Sequence, residues 1–124
     1  MREIKFRAQD IASNKWLYGD LRHHKDDICI FGQGGNKGEQ VKNETIGQFT
    51  GLHDKDKKPI FEGDIIRAAR DNKLYSITFR DGMFYASIEE ANIFGGYPLW
   101  CLCDEEEPCT IVGNIYENPE LLKK

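Results

Sequence analysis

The sequence contains no run of about eighteen apolar residues, the length a helix needs to cross a bilayer. Its first ten residues, MREIKFRAQD, alternate charged and apolar types, whereas a secretory leader needs a continuous apolar segment. These two absences predict a protein that stays in the cytosol. A basic excess is also missing: 17 Lys and Arg stand against 21 Asp and Glu, for a net charge of −4. Proteins that hold nucleic acid by neutralising phosphate more often carry the opposite balance. None of the spacings G-x-S-x-G, H-E-x-x-H, G-x-x-x-x-G-K-[ST] or G-x-G-x-x-G occurs, which removes the commonest hydrolase, zinc-protease and phosphate-binding signatures.

Histidine is scarce, with 3 residues, and there are 4 cysteines. Cys101, Cys103 and Cys109 form a C-x-C-x5-C cluster, but structural zinc sites favour paired knuckles and four ligands. Cys29 or a histidine would have to complete the set from far away, and Asp104 to Glu107 would add negative charge beside the thiolates. In a reducing cytosol the expected state is four free thiols, without metal. His23-His24 with Asp26-Asp27 invites a second metal reading. Adjacent residues on a strand face opposite sides, so solvated side chains at a strand end are the expected arrangement.

What is present is a β-rich pattern in 124 residues, enough for one compact domain and a sizeable core. Hydrophobic residues make up 40% and aromatics 11%, a balance that suits pleated surfaces rather than disorder. Glu3 to Gln9 alternates with Ile4, Phe6 and Ala8 on one face, and predicts a half-buried strand. Asp10 to Asn14 supplies turn formers and Lys15 to Leu21 a returning strand, with Phe6 set against Trp16 or Tyr18. Asp27 to Phe31 predicts a third strand. Gly32 to Gly38, with four glycines in seven positions, predicts a flexible loop and a boundary before the main body.

The centre of the chain, Glu44 to Arg67, combines β-prone runs at Thr45–Thr50, Pro59–Phe61 and Ile65–Arg67 with a charged turn from Asp54 to Lys58 and a glycine break at Gly63. Leu74–Arg80 and Met83–Ile88 flank Asp81-Gly82, a strong hairpin signal. Glu89 to Asn92 predicts a helical turn or a loop, and Gly95-Gly96 a break. The acidic loop Asp104 to Pro108 precedes a last strand, Cys109 to Tyr116. Asn118-Pro119-Glu120 predicts a short terminal helix pinned by Leu121 or Leu122.

Three of these segments resemble the YopX family of phage and prophage proteins. They are Met1–Ala8; Gly47–Leu52 with Asp54-Lys55 and Ile60–Ile66; and Ile111–Leu121. Two positions depart from the usual pattern. Gln9 stands where an aromatic is common, and Lys57 stands where the turn usually has glycine, which implies either a different turn type or a lysine in a left-handed conformation. The resemblance implies an SH3-like barrel over residues 44–124 after an N-terminal β-hairpin segment, residues 1–43, and a bacterial cytoplasm. It brings no activity, ligand or catalytic residue with it.

The chemistry of individual residues adds little to that. His53, Asp54, Glu62 and Asp64 share one block, yet turn or surface roles account for all but Glu62. Lys55, Lys57, Lys58, Arg67, Arg70 and Lys73 interleave with five acidic residues, so no electrostatic funnel is evident. Trp16, Tyr75, Phe79, Tyr85 and Trp100 are expected in the core, with Trp16 and Tyr97 the aromatics most open to another role. Asp104–Glu107 reads as a solvated loop or as a lure for a basic partner. The expected catalytic, cofactor and metal sets are empty. The function expected is a non-enzymatic protein-binding or adaptor module, able to form a homo-oligomer through strand edges. A nucleic-acid-binding accessory protein of phage replication or gene control comes second, and a small enzyme third.

Overall fold

The computed structural model describes residues 2–32, 38–90 and 93–122 of the chain. Most of the glycine-rich segment, and Ala91-Asn92, lie outside the described residues. The strands are β1 (Phe6–Gln9), β2 (Trp16–His24), β3 (Asp27–Phe31), β4 (Glu39–Gln40), β5 (Gly47–His53), β6 (Pro59–Phe61), β7 (Asp64–Ala68), β8 (Leu74–Arg80), β9 (Met83–Glu90), β10 (Ile93–Pro98) and β11 (Cys109–Asn114). One helical turn, α1 (Leu99–Leu102), follows β10, and 3₁₀ turns occupy Asn43–Thr45 and Pro119–Leu122. The protein is mainly β, with two antiparallel sheets. Neither sheet closes on itself, so a closed SH3-like barrel is not what the strand order describes.

Residues 1–51 and 52–124 form two compact units, the division falling inside β5. One sheet runs β4-β3-β2-β1-β5-β6, and it contains the expected β1–β2 hairpin and third strand of the first unit. Its core is Ala8, Ile30 and Val41, with Phe6, Leu17, Leu21, Ile28 and Ile46 packed around them. The register corrects one expected contact. Phe6 pairs with Gly19 and Arg7 with Tyr18, so period-two alternation puts Phe6 on the face opposite Trp16 and Tyr18. Arg7 takes the place expected for Phe6: its guanidinium lies 4.6 Å from the centre of the Trp16 ring, and it is buried. Ile4, expected to be buried, precedes the strand and is exposed.

The second unit contains the larger core, built from Ile60, Ile66, Ala68, Tyr75, Ile77, Ala86, Leu99, Leu102, Cys103 and Cys109. Its sheet runs β10-β9-β8-β7-β11. Asp81 and Gly82 both take positive φ, 52° and 79°, as a tight two-residue hairpin turn requires. One expected break is absent: Gly95-Gly96 lie within β10, paired with Ile88 and Ser87. Of the turn or loop expected over Glu89–Asn92, Glu89 and Glu90 belong to β9 and the remainder lies outside the described residues. At a sheet edge the weak β preference of glycine is outweighed by ladder hydrogen bonds along one side. The last strand ends at Asn114, short of the expected Tyr116. Leu121 and Leu122 are each more than a third exposed, so they do not pin the terminal turn as expected.

Candidate binding surface

The polar residues that looked chemically interesting in the central block serve the backbone. Asp54 is buried, and its Oδ1 accepts hydrogen bonds from the Asp56 and Lys58 N–H groups, both at 2.9 Å. Its Oδ2 accepts from the Ile111 N–H on the outer side of β11 at 3.1 Å. The Lys55 N–H donates to the Cys109 carbonyl at 2.8 Å, so the turn covers the exposed edge of that strand. Lys57 has φ of 65°, the left-handed conformation of the two alternatives its sequence context implies. Asp64, also buried, accepts from the Phe61 N–H at 2.8 Å, closing the bend at Gly63. Gly63 has φ of 94° and sits under the Tyr116 ring; a Cβ there would lie 2.9 Å from it.

The closing segment works the same way. Asn114 Oδ1 accepts from the Tyr116 and Glu117 N–H groups at 3.0 and 2.9 Å, while Asn118 Oδ1 accepts from the Asn114 N–H at 3.2 Å. The Ile115 N–H donates to the Gly63 carbonyl at 2.9 Å. Asp54, Asp64, Asn114 and Asn118 thus organise turns and finish β11. Glu62 is half-buried and His53 exposed.

The histidine and acidic cluster at the end of β2 does not converge either. His23 is exposed, and His24 pairs through its backbone with Asp27. Asp26 and Asp27 instead line a shallow pocket of about 420 Å³ with Ile11, Gln40, Lys42 and Glu44. Among the described residues, no three of the His, Cys, Asp and Glu side chains are grouped as a metal site requires.

The cysteines correct the expectation of four free thiols. Cys103 and Cys109 form a disulfide, their Cα atoms 5.4 Å apart, and only Cys29 and Cys101 are free. The reason is the loop between them. Asp104 Oδ1 accepts from the Glu106 and Glu107 N–H groups at 2.9 and 2.7 Å, folding the acidic run into a tight turn that returns the chain beside α1. Arg70 reaches this turn, 3.6 Å from Asp104 and 3.5 Å from Glu107. Glu105 and Glu106 remain exposed.

Two aromatics expected in the core are on the surface. Phe79 is 53% exposed, meeting Phe84 edge-on with ring centres 5.1 Å apart. Trp100 is 68% exposed, because α1 buries Leu99 and Leu102 and leaves the residue between them outside. Tyr97, at 50% exposure, leans edge-on against the buried Tyr75 with ring centres 6.2 Å apart. Tyr97 and Trp100 flank the end of β10, which is the last strand of its sheet and has no neighbour on its outer side among the described residues. Gly96 permits the close approach of β10 to β9: a Cβ there would lie 2.2 Å from the Ala86 carbonyl oxygen. The Tyr85 hydroxyl donates to the Gly96 carbonyl at 3.1 Å. An open strand edge, two exposed aromatics and an acidic turn therefore follow one another within residues 93–107.

This is a mainly β protein with two antiparallel sheets. A family model described as "YopX protein" matches residues 5–123, and the chain belongs to the YopX family. No curated protein matches it. Among solved structures it is similar to protein EF1440 from Enterococcus faecalis, with 27% identity and a TM-score of 0.62. The alignment covers 99% of this chain and 100% of that one.

Proposed function

We propose that the chain is a non-enzymatic protein-binding module, encoded by a phage or prophage and acting in the bacterial cytoplasm. The observation that carries this reading is the outer edge of β10, flanked by Tyr97 and Trp100. Unpaired strand edges attract other strands, and soluble proteins commonly blunt them with proline, charge or a covering segment. At the other edge of the same sheet, β11 is covered by the Asp54 turn. The second unit serves on this reading as a stiff scaffold whose sheet edge takes up an extended segment of the partner.

The test compares tagged wild-type protein with the Tyr97→Ala/Trp100→Ala double variant in capture from bacterial lysate, with nuclease present throughout. The expected result is a stoichiometric protein partner retained by the wild type and lost by the variant. Capture that does not depend on Tyr97 and Trp100, or the absence of any protein partner under these conditions, overturns the reading.

A nucleic-acid-binding role has its own observation in the first unit. Arg7 stacks on Trp16, Arg22 lies 4.5 Å from the centre of the Phe31 ring, and Tyr18 is exposed on the same strand as Trp16. An exposed tyrosine near guanidinium groups can stack on a base. Steeply salt-dependent binding of single-stranded DNA, lost in Tyr18→Ala, is its expected signature.

A further inference from the structure

Resting on the protein-binding reading above, we propose that the strand taken up by β10 is β10 of a second copy, paired antiparallel about a two-fold axis at Gly96. The two five-stranded sheets then run on as one. Hydrogen-bond phase shows which groups are available. The two-residue turn at Asp81-Gly82 makes Arg80 and Met83 a mutually hydrogen-bonded pair. Alternation then directs Thr78 toward β9 and Ile77 toward β7, where the Ile77 carbonyl accepts from the Gly63 N–H at 2.8 Å. Continuing across β9, Ala86 and Ile88 bond β10 at Tyr97 and Gly95. Phe94, Gly96 and Pro98 therefore turn their backbone groups away from β9, along the open edge.

A two-fold axis at Gly96 matches these groups to one another. Each Gly96 N–H meets the Gly96 carbonyl of the other copy, and each Phe94 N–H meets the other copy's Pro98 carbonyl. Pro98 lacks an N–H and is needed here only as an acceptor. The Gly96 carbonyl can keep the Tyr85 hydroxyl as well, since it has two lone pairs. The side chains fit the same axis. Gly95 and Tyr97 lie on the face of Ile88 and Ala86, their register partners, and the pairing sets Tyr97 of each copy opposite Gly95 of the other. Tyr97 is half exposed, and Gly95 has room above it: a Cβ there would lie 3.6 Å from Ile88 Cγ2, an ordinary contact. The sheet already uses this arrangement once, where the Tyr85 ring lies over Gly96, its Cε1 2.8 Å from the position of a Cβ.

A second copy is favoured over an unrelated strand because β10 carries both halves of the fit, the exposed tyrosine and the bare position that receives it. Ile93–Pro98 holds no charged residue, so no like charges are opposed across the axis. The contact is short. Its 6 residues span about 20 Å, which places the interface at the low end of specific ones, below about 1,200 Å². Such a dimer should dissociate on dilution. Residues 52–124 carry fourteen acidic and nine basic side chains, a net charge of −5, so two copies repel at long range. Added salt should therefore tighten the dimer, the reverse of what a lysine- and arginine-bearing partner would show.

The experiment is sedimentation velocity of the full-length protein over a dilution series, at low and high salt. The expected result is a monomer–dimer equilibrium that tightens with salt. It should weaken about ten-fold or more in Gly95→Glu, which sets a carboxylate against Tyr97 of the other copy. The room above Gly95 should let that variant keep the wild-type melting temperature. Cross-linking decides the matter whatever that variant's stability. In a Cys29→Ser/Cys101→Ser background, Gly95→Cys protein mixed with Tyr97→Cys protein should give a disulfide-linked dimer under mild oxidation. Either one alone should not, because like positions lie two residues out of register. A protein monomeric up to about 1 mM, a dimer indifferent to Gly95→Glu, or one that weakens with salt would overturn the proposal. So would cross-linking no stronger in the mixture than in either variant alone. A monomer whose lysate partner still depends on Tyr97 and Trp100 would, in that case, leave the protein-binding reading standing.

Discussion

The Asp54 carboxylate accepts a hydrogen bond from the Ile111 N–H at 3.1 Å, joining residues 57 positions apart in the chain. The same side chain holds the turn from Asp54 to Lys58, so a single buried anion both shapes a local bend and covers a strand edge. Removing it leaves three backbone N–H groups without their acceptor. Asp54→Ala should destabilise the protein by about 3 kcal/mol, with Asp54→Asn intermediate, because hydrogen bonds to a charged acceptor are worth about 1.5–3 kcal/mol. Urea denaturation measures this, and a loss below about 1 kcal/mol would show that water replaces the carboxylate at both places.

Lys57 occupies the left-handed region at φ 65°, where a Cβ meets its own backbone. Lys57→Gly should therefore stabilise the folded state by about 0.5–1 kcal/mol, the relief of steric strain exceeding the added flexibility of the unfolded chain. A fall in melting temperature in this variant would mean that the lysine side chain contributes more than its backbone strain removes.

The Cys103–Cys109 disulfide closes a ring of seven residues around the acidic turn. Loop-closure entropy for so short a ring corresponds to about 2 kcal/mol of stability. Cys103→Ser/Cys109→Ser should lose that much in denaturant titration, and the wild type in reductant should behave similarly. Because both sulfurs sit in buried residues, reduction of the folded protein should be slow.

Asp71 provides a pH-dependent contribution. Burial pushes its carboxyl upward, but the hydrogen bond from the Tyr75 hydroxyl, with the Lys73 N–H and the Lys73 charge, outweighs burial and leaves the pKa below its ordinary value. A depressed folded-state pKa adds stability above the unfolded value, lost as pH falls through the folded one. The stability difference between wild type and Tyr75→Phe should accordingly be largest near neutrality and shrink below about pH 4. An NMR titration should show the Asp71 carboxyl rising toward the ordinary range in that variant; an unmoved midpoint would place the cause elsewhere.

Much of the strand pattern was legible because period-two alternation and turn residues act locally. The Asp81-Gly82 hairpin and the bend at Gly63-Asp64 each follow from the steric demands of two or three residues, whereas the left-handed Lys57 was one of two alternatives that the family resemblance left open. The break expected at Gly95-Gly96 did not occur, since ladder hydrogen bonds from a neighbouring strand outweigh weak local preferences. Similarly, Leu74–Arg80 shows its alternation, but the pattern does not reveal where the core ends. Tyr75 and Ile77 are buried, while Phe79 on the same face is exposed.

The sequence by itself determined the β class, the sites of the tight turns and the family, because these depend on local sterics and on motifs contiguous in the chain. The tertiary structure alone decided that Cys103 meets Cys109, that Asp54 reaches Ile111, and that Arg7 rather than Phe6 stacks on Trp16. It also decided that Trp100 stands outside while its neighbours Leu99 and Leu102 are buried. Such outcomes depend on register and on which strand lies at a sheet edge. Both are set by packing between segments distant in sequence, a sum of many weak contacts that no short stretch of residues contains.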